Sequence, residues 1–202
     1  MENCEQLFNE RNNRLNFMKK IFWILPSFVF VFICCHNSSG QQSSSQLKKV
    51  IIIRHGEKPD QGDNLSCQGL NRALQLPDVL NKKFGTPNYI FVPAINTGKK
   101  TSTARMYQTI VPFAVKYNLN INSKYDVDDV KDLAADIEKR SGTVLVVWEH
   151  DHIDNIAKAL GVQQTSKWAG DDFDSIWIIN FQNGKATLTK DKEGLQPAAN
   201  CK

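Results

Sequence analysis

Nearly continuous apolar runs alternate with amphipathic stretches along the chain from Leu47 onward. Short runs of this kind, rich in Val and Ile, are typical of strands that are buried on both faces of a parallel sheet. We predict such strands at Lys48 to Arg54, Tyr89 to Ala94 and Thr143 to Trp148, with a shorter one near Ile121.

Between these runs, apolar residues recur at helical spacing, which predicts amphipathic helices. The predicted helices are Leu65 to Gly85, Thr101 to Tyr117, Asp126 to Arg140 and His152 to Gly161. Ser66 is a residue type that commonly caps a helix N-terminus. Strands therefore alternate with helices along most of the domain.

The pattern changes near the C-terminus, where two β-type runs flank Asn183-Gly184. This dipeptide is a strong signal for a two-residue hairpin turn. The fold class predicted for residues 48–202 is therefore α/β, with a mostly parallel central sheet flanked by helices and a C-terminal β-hairpin.

A long apolar run precedes the domain. Ile21 to Cys35 is almost wholly apolar and follows the basic Met18-Lys19-Lys20. At about 15 residues it suits a signal-peptide core better than a membrane span of about 20. We therefore assign residues 1–35 to an N-terminal extension and a signal or lipoprotein-type segment. A polar stretch ahead of a signal is unusual, so we hypothesise that translation starts at Met18. N-terminal sequencing of the precursor would test this, and an intact Met1 would refute it.

Residues 36–47, "HNSSGQQSSSQL", are rich in Ser and Gln and are predicted to form a flexible tether. A cysteine followed by a polar tether resembles a bacterial lipoprotein, in which Cys35 or Cys34 would carry the lipid and attach the protein to a membrane. Phe32-Ile33 is bulky where lipoprotein signals usually have small residues, so a soluble secreted form stays open. Both alternatives predict an exported protein, periplasmic or at the outer surface.

The composition limits the remaining function classes. With 25 Lys and Arg against 21 Asp and Glu, the net charge is only +4, and no dense basic patch suggests a nucleic-acid partner. Outside the cytoplasm, Cys67 and Cys201 could pair, or both could remain free thiols. No cysteine has metal-site spacing, and we predict neither a metal nor another cofactor.

Charged and imidazole side chains collect where the predicted strands end. In open α/β sheets, ligands bind beyond the carboxyl ends of the strands. Three of the four histidines of the chain lie at such positions, and two arginines join them. The first strand leads into Arg54-His55-Gly56-Glu57, the second precedes Arg105, and the third leads into Glu149-His150-Asp151-His152.

These segments resemble the histidine phosphatase superfamily, which has the phosphoglycerate mutase-like fold. The resemblance rests on "IIIRHGEK", "LSCQGLNRA", "TSTARMYQT" and "VLVVWEHDHI", which occur in the family's order and span about Lys48 to Leu160. It implies a phosphatase, here an exported bacterial member, that hydrolyses small phosphate monoesters without a metal. By the same resemblance, His55 is the nucleophile that becomes phosphohistidine.

The other residues of these segments receive roles from the same resemblance. Arg54 and Arg105 would bind phosphate oxygens with their planar donor forks. Gly56 would let the backbone approach the phosphoryl group closely. His150 would act as a further donor if the negative ligand protonates it, and a neighbouring carboxylate could hold it protonated. His152 would either touch the substrate or simply begin the following helix.

The general acid that protonates the leaving group is left open. Glu57 follows the nucleophile closely, although it could instead orient Arg54. Asp151 follows the second histidine, as in the acid phosphatase and phytase branch. A cluster of aspartates, whose alternative role is helix capping, occupies the segment where the mutase branch has its acid: Asp126, Asp128 and Asp129. Some family members act on phosphohistidine and have no such acid.

Three other functions compete with a phosphatase for small esters. A protein-phosphohistidine phosphatase is the main alternative, although an export signal argues against it. A mutase is less expected, because the chain between Arg105 and His150 leaves little room for further substrate-binding segments. A non-catalytic phosphate-binding module of the same fold is the third.

Overall fold

The computed structural model describes residues 46–96 and 103–201. The predicted signal segment, the lipid-bearing Cys34 or Cys35, and all but the last two residues of the tether lie outside the described residues. Within this part of the chain, no helix is long and apolar enough to cross a membrane.

A six-stranded sheet forms the centre of the described domain. Its strands are β1 (Leu47–Arg54), β2 (Tyr89–Phe91), β3 (Ile121–Asn122), β4 (Gly142–Trp148), β5 (Ser175–Gln182) and β6 (Lys185–Lys192). The spatial order is β3-β2-β4-β1-β5-β6. The first four of these strands in that order are parallel, whereas β5 is antiparallel to β1 and to β6. This confirms the predicted mostly parallel sheet.

Helices cover both faces of the sheet. They are α1 (Cys67–Phe84), α2 (Ala104–Tyr117), α3 (Val130–Glu138) and α4 (His150–Ala159). Alternate residues of β1 enter two different cores, because successive strand side chains point to opposite faces. Val50 and Ile52 pack in the core that contains residues of α3 and α4, and Ile51 and Ile53 in the core with α1 and α2. The continuous apolar run that predicted β1 therefore reflects burial on both faces.

The C-terminal hairpin is confirmed. β5 and β6 pair antiparallel with Gln182 opposite Lys185. Asn183 and Gly184 form the turn with φ of 50° and 73°. A two-residue turn with both φ values positive matches the right-handed twist of the strands, which explains the Asn-Gly pair.

Helix α4 begins two residues earlier than predicted, at His150 rather than His152. β4 ends at Trp148, and Glu149 alone, in an extended conformation, separates strand from helix. The predicted start at His152 was two residues late, because the apolar periodicity that marks the helix begins only at Ile153. His150 and Asp151 consequently lie in the first turn of α4.

Cys67 and Cys201 form a disulfide, with their Cα atoms 4.8 Å apart. Of the two outcomes left open for these cysteines, the structure has the bridge. Next to it, Asn71 Nδ2 donates to the carbonyls of Ala198 and Asn200, at 2.8 and 2.9 Å. The C-terminal segment is therefore fastened to the first turns of α1.

Candidate active site

The carboxyl ends of two neighbouring strands bring the predicted site together. Arg54 at the end of β1 pairs in register with Trp148 at the end of β4. The His55 amide donates to the Trp148 carbonyl at 3.3 Å, so the chains leave the sheet side by side. The charges of Arg54, Arg105 and His150 all act on the His55 imidazole. Four of the residues predicted to form the site therefore do converge.

His55 is a buried, neutral imidazole with a defined tautomer. Only 2% of the surface of His55 is exposed to solvent. Nδ1 lies 2.7 Å from the Gly56 carbonyl, and because a carbonyl only accepts, Nδ1 carries the proton. The pKa of His55 is lowered to about 4, mainly by burial; the Gly56 carbonyl opposes this, and Arg54, Arg105 and His150 act in the same direction as burial. At neutral pH, Nε2 therefore has a free lone pair.

Arg54 is buried and held from two directions. Its Nη1 donates to the carbonyls of Gly170 and Asp172, at 2.7 and 3.3 Å. Its Cζ lies 3.9 Å from the centroid of the Phe173 ring. Burial lowers the pKa of Arg54 and the carboxylates of Asp151 and Asp172 oppose this, but a guanidinium stays charged in proteins.

One donor of Arg54 has no partner. Nε is buried and has no acceptor among the described residues. A buried donor without an acceptor costs about 1–3 kcal/mol, so such atoms usually mark a place for a water or a ligand. Nε and Nη2 lie on the same edge of the guanidinium, and this edge can bind two oxygens of one oxyanion.

His150 begins α4 and is mostly buried, with 20% of its side chain exposed. Burial lowers its pKa, Arg54 lowers it further, and Asp151 and Glu149 raise it. Its Nε2 is 3.3 Å from Asp151 Oδ1, a contact that favours the protonated form. Because the Asp151 side chain is 73% exposed, water screens that attraction and burial dominates. In the ligand-free site, burial therefore lowers the pKa of His150 more than the neighbouring carboxylates raise it.

Arg105 comes close enough to lower the pKa of His55, but the loop after β1 holds its guanidinium. Nη2 donates to the Gly62 carbonyl at 2.6 Å and Nε to the Asn64 carbonyl at 3.3 Å. Arg105 is half-buried and sits in the first turn of α2. Its fork is thus partly occupied by backbone, unlike the free edge of Arg54.

Gly56 is required for packing. A Cβ there would lie 2.9 Å from the Gly69 carbonyl oxygen of α1. The Gly56 amide donates to Thr109 Oγ1 at 2.9 Å, and its carbonyl accepts from His55. Gly56 therefore packs against α1 and braces the nucleophile, while its predicted close approach to a phosphoryl group stays a prediction.

Glu57 does not fit the role of a proton donor. Its carboxylate accepts from Arg72 Nη2 at 2.7 Å and from Nε at 3.0 and 3.1 Å. Glu193 reaches the same guanidinium through Nη1. Both carboxylate oxygens of Glu57 therefore accept hydrogen bonds from Arg72, and neither is available to a departing ester oxygen. The structure thereby corrects the interpretation of Glu57 as a general acid.

His152 and the aspartate cluster form a separate group. His152 Nε2 is 2.8 Å from Asp128 Oδ1, and both line a groove between α3 and α4. The Asp129 carboxylate accepts from the Asp126 amide at 3.1 Å and caps no amide of α3. His152 therefore binds Asp128, and of the two roles left open for it, that of beginning the helix is wrong because α4 already begins at His150. The predicted capping by Asp129 is also absent.

Asp151 is the candidate acid that lies beside the site. Together with His150 it lines a cavity of about 240 Å³, whose other walls are Asp154, Asn155, Lys167 and Trp168. No group of three or more Cys, His, Asp or Glu is placed to share a metal ion in the described part of the chain.

The segment before the hairpin contributes to the site, although its sequence did not predict these contacts. Gly170, Asp172 and Phe173 supply two carbonyls and an aromatic face to Arg54. Phe173 also contacts His55 edge-to-face, with ring centroids 6.0 Å apart. No motif marks this segment, because backbone carbonyls carry no side-chain signature.

Comparison with solved structures identifies the fold. No protein-family model matches the sequence, and no curated protein matches it. The protein histidine phosphatase SixA bound to tungstate is similar, with a TM-score of 0.52 and 17% identity over 72% of this chain and 97% of that one. The described domain has a histidine phosphatase fold. This confirms the fold that the sequence resemblance implied.

Two further structures are similar at lower scores. A SixA protein from Agrobacterium tumefaciens has a TM-score of 0.49 and 16% identity, over 74% of this chain and 99% of that one. A mycobacterial glucosyl-3-phosphoglycerate phosphatase bound to inorganic phosphate has a TM-score of 0.46 and 15% identity, over 75% and 98%.

Proposed function

We propose that this protein is a phosphatase that hydrolyses small phosphate monoesters through a phosphohistidine intermediate on His55. The main support for the proposal is that two buried groups with complementary properties lie side by side at the end of β1. One is a neutral imidazole with a free Nε2, and the other is an arginine whose buried Nε has no acceptor. A phosphoryl group would give the imidazole its electrophile and the arginine its acceptor.

The first step forms a bond from His55 Nε2 to phosphorus and breaks the phosphorus–oxygen ester bond. Negative charge on the phosphoryl oxygens is stabilised by donors aimed at them from fixed positions. The free edge of Arg54 supplies two donors. Arg105 adds positive charge at the same strand ends. His150 becomes a further donor when the dianion raises its pKa.

We propose Asp151 as the group that protonates the departing oxygen. Glu57 forms a salt bridge with Arg72. In the aspartate cluster, Asp128 contacts His152 and Asp129 accepts a hydrogen bond from backbone. Asp151, in contrast, lines the cavity next to His150. In the second step, water attacks the phosphohistidine and the Asp151 carboxylate takes its proton. Inorganic phosphate leaves, and His55 returns to its neutral form.

The test is turnover of a panel of phosphate esters by the purified protein beside the His55→Ala variant. We expect turnover by the wild type, loss of turnover by the variant, and a phosphorylated protein that can be trapped early in the reaction. Equal turnover by His55→Ala would remove the nucleophile. No turnover on any ester, with inorganic phosphate still bound, would favour the non-catalytic binding module.

A protein-phosphohistidine phosphatase is the second candidate. It is favoured by the similar solved structure, described as a protein histidine phosphatase, of which 97% is covered. A phosphohistidine substrate has an imidazole leaving group that needs less help from an acid. Turnover of a phosphohistidine peptide that far exceeds turnover of every small ester would support this alternative.

We also propose that the domain works outside the cytoplasm, exported and attached to a membrane through a lipidated Cys35 or Cys34. The Cys67–Cys201 disulfide supports export, because disulfides persist in oxidising compartments and are rare in the cytoplasm. The intact mass of the mature protein from a membrane fraction would show whether lipid is attached. An unmodified N-terminus with the signal removed would instead support soluble secretion.

A further inference from the structure

Phe173 lies against both residues that the proposed reaction uses first. Its ring stacks on the Arg54 guanidinium at 3.9 Å and meets the His55 ring edge-to-face at 6.0 Å. Stacking of a guanidinium on an aromatic face is attractive, and the attraction strengthens when the pair is removed from water. Phe173 thus faces the nucleophile and the phosphate-binding donor at the same time.

The loop that carries Phe173 is internally bonded. The Asp172 carboxylate accepts from the amides of Asp174 and Ser175, each at 3.0 Å, and from Ser175 Oγ at 2.6 Å. The Asp172 carbonyl accepts from Trp168 Nε1 at 2.8 Å. These bonds fix the backbone on both sides of Phe173, so the ring is a defined surface rather than a mobile one.

Phe173 and two backbone carbonyls together determine which edge of the Arg54 guanidinium is available. A planar guanidinium stacked on a ring can still rotate within its plane. The Gly170 and Asp172 carbonyls stop that rotation because they bind Nη1. Ring and carbonyls together therefore leave the edge with the unpartnered Nε for an oxyanion. Without the ring, the guanidinium could tilt out of this plane and would be hydrated.

Phe173 also helps to exclude water from His55. Burial is the main cause of the low pKa of His55, and the charges facing it, those of Arg54, Arg105 and His150, act in the same direction. Of these causes, burial is the one to which Phe173 contributes directly. Removal of the ring would leave Arg105 and His150 in place and would return water to one side of the imidazole.

We propose that Phe173 is a positioning residue for this site, which fixes the plane of Arg54 and shields the His55 imidazole from water. The proposal rests on the proposed function for its relevance to turnover. Its physical content, oxyanion affinity and imidazole titration, can be measured without turnover.

Three substitutions separate the two effects. Phe173→Ala removes both the aromatic face and the shielding. Phe173→Leu keeps an apolar side chain of similar reach but has no aromatic face. Phe173→Tyr keeps both. The matched control is Phe84→Ala, which truncates another half-buried phenylalanine near Lys49, at the opposite end of β1 from Arg54.

Two measurements on the purified protein test the proposal. Calorimetric titration with tungstate reports the oxyanion affinity, and NMR titration of the imidazole nitrogens reports the protonation of His55. We expect Phe173→Ala to bind tungstate about tenfold more weakly and to protonate His55 at higher pH than the wild type. We expect Phe173→Leu to lose affinity with little change in the His55 titration. Phe173→Tyr and Phe84→Ala should match the wild type in both.

Phe173→Ala with unchanged tungstate affinity and an unchanged His55 titration would overturn the proposal. So would equal losses in Phe84→Ala, because the effect would then be general loosening of the fold. If no variant and no wild-type preparation turns over any ester, yet the two binding readouts shift as expected, the proposed function fails and the positioning role stands.

Discussion

Removal of the Cys67–Cys201 bridge should destabilise the domain strongly. The cysteines are 134 residues apart in sequence, so the bridge restricts the unfolded chain over most of the domain. In the chain-entropy model, a closed loop of this length stabilises the native state by about 5 kcal/mol at 25 °C. Native bridges in small secreted domains typically contribute about 2–5 kcal/mol. We therefore expect the loss to fall between about 2 and 5 kcal/mol.

Urea unfolding followed by tryptophan fluorescence measures this loss. Trp148, Trp168 and Trp177 are buried in the domain and should report its unfolding. With an m-value of about 2 kcal/mol/M, the expected loss moves the midpoint down by about 1–3 M. The comparison is between the oxidised protein, the same protein with reductant, and Cys67→Ala/Cys201→Ala.

The double variant is also the control for the reductant, because reductant should not change its midpoint. We expect the reduced wild type and the double variant to have the same urea midpoint, at a concentration well below the midpoint of the oxidised protein. Coincident midpoints for oxidised and reduced wild type would refute this expectation. So would free thiols at both positions in protein isolated without reductant, since the bridge would then not exist.

Four further predictions concern the site and the ion-pair cluster behind it. His55→Asn should abolish ester turnover in steady-state assays while tungstate still binds, and loss of both would refute its role as a nucleophile alone. Asp151→Asn should slow esters with poor leaving groups by about 10²–10⁴-fold and activated esters much less; equal slowing would exclude it as the acid. Arg72→Met should cost about 3–5 kcal/mol in urea unfolding because it leaves the buried Glu57 carboxylate unpaired, and adding Glu57→Gln should recover part of that loss. Burial raises the pKa of Glu193 to about 8 against the attraction of Arg72, so the unfolded chain releases this proton at lower pH than the native protein. Stability should then fall by about 1 kcal/mol from pH 7 to 8, a window above both the ordinary and the lowered pKa of His55, and Glu193→Gln should remove the fall.

Strand positions and strand-end chemistry could be predicted because both depend on local sequence. The apolar run ending at Arg54 encodes a strand buried on both faces, and the chain then leaves the sheet at the edge where ligands bind. The roles of the carboxylates could not be predicted in this way. Glu57 is next but one to the nucleophile, yet its function follows from Arg72 on α1 and from the distant Glu193.

Hydrogen bonds from side chains of the site to backbone carbonyls also could not be predicted from the sequence. His55 is held in its tautomer by the Gly56 carbonyl, and Arg54 is oriented by the carbonyls of Gly170 and Asp172. Every residue has a carbonyl, so composition does not reveal which ones will face a guanidinium. The start of α4 shows a related limit, because "EHDH" has the residue types of a loop although His150 is already helical.

The position of the nucleophile depends on a contact between two glycines. A side chain on Gly56 would meet the Gly69 backbone, and a side chain on Gly69 would meet the backbone of Glu57. The residues beside His55 therefore lie directly on the first turns of α1, with no side chain to absorb a shift. Those same turns hold the disulfide, the Asn71 contacts to the tail, and Arg72 with its carboxylates. Because interiors this closely packed transmit displacement, any loosening of the C-terminal segment from α1 should reach His55 through this contact.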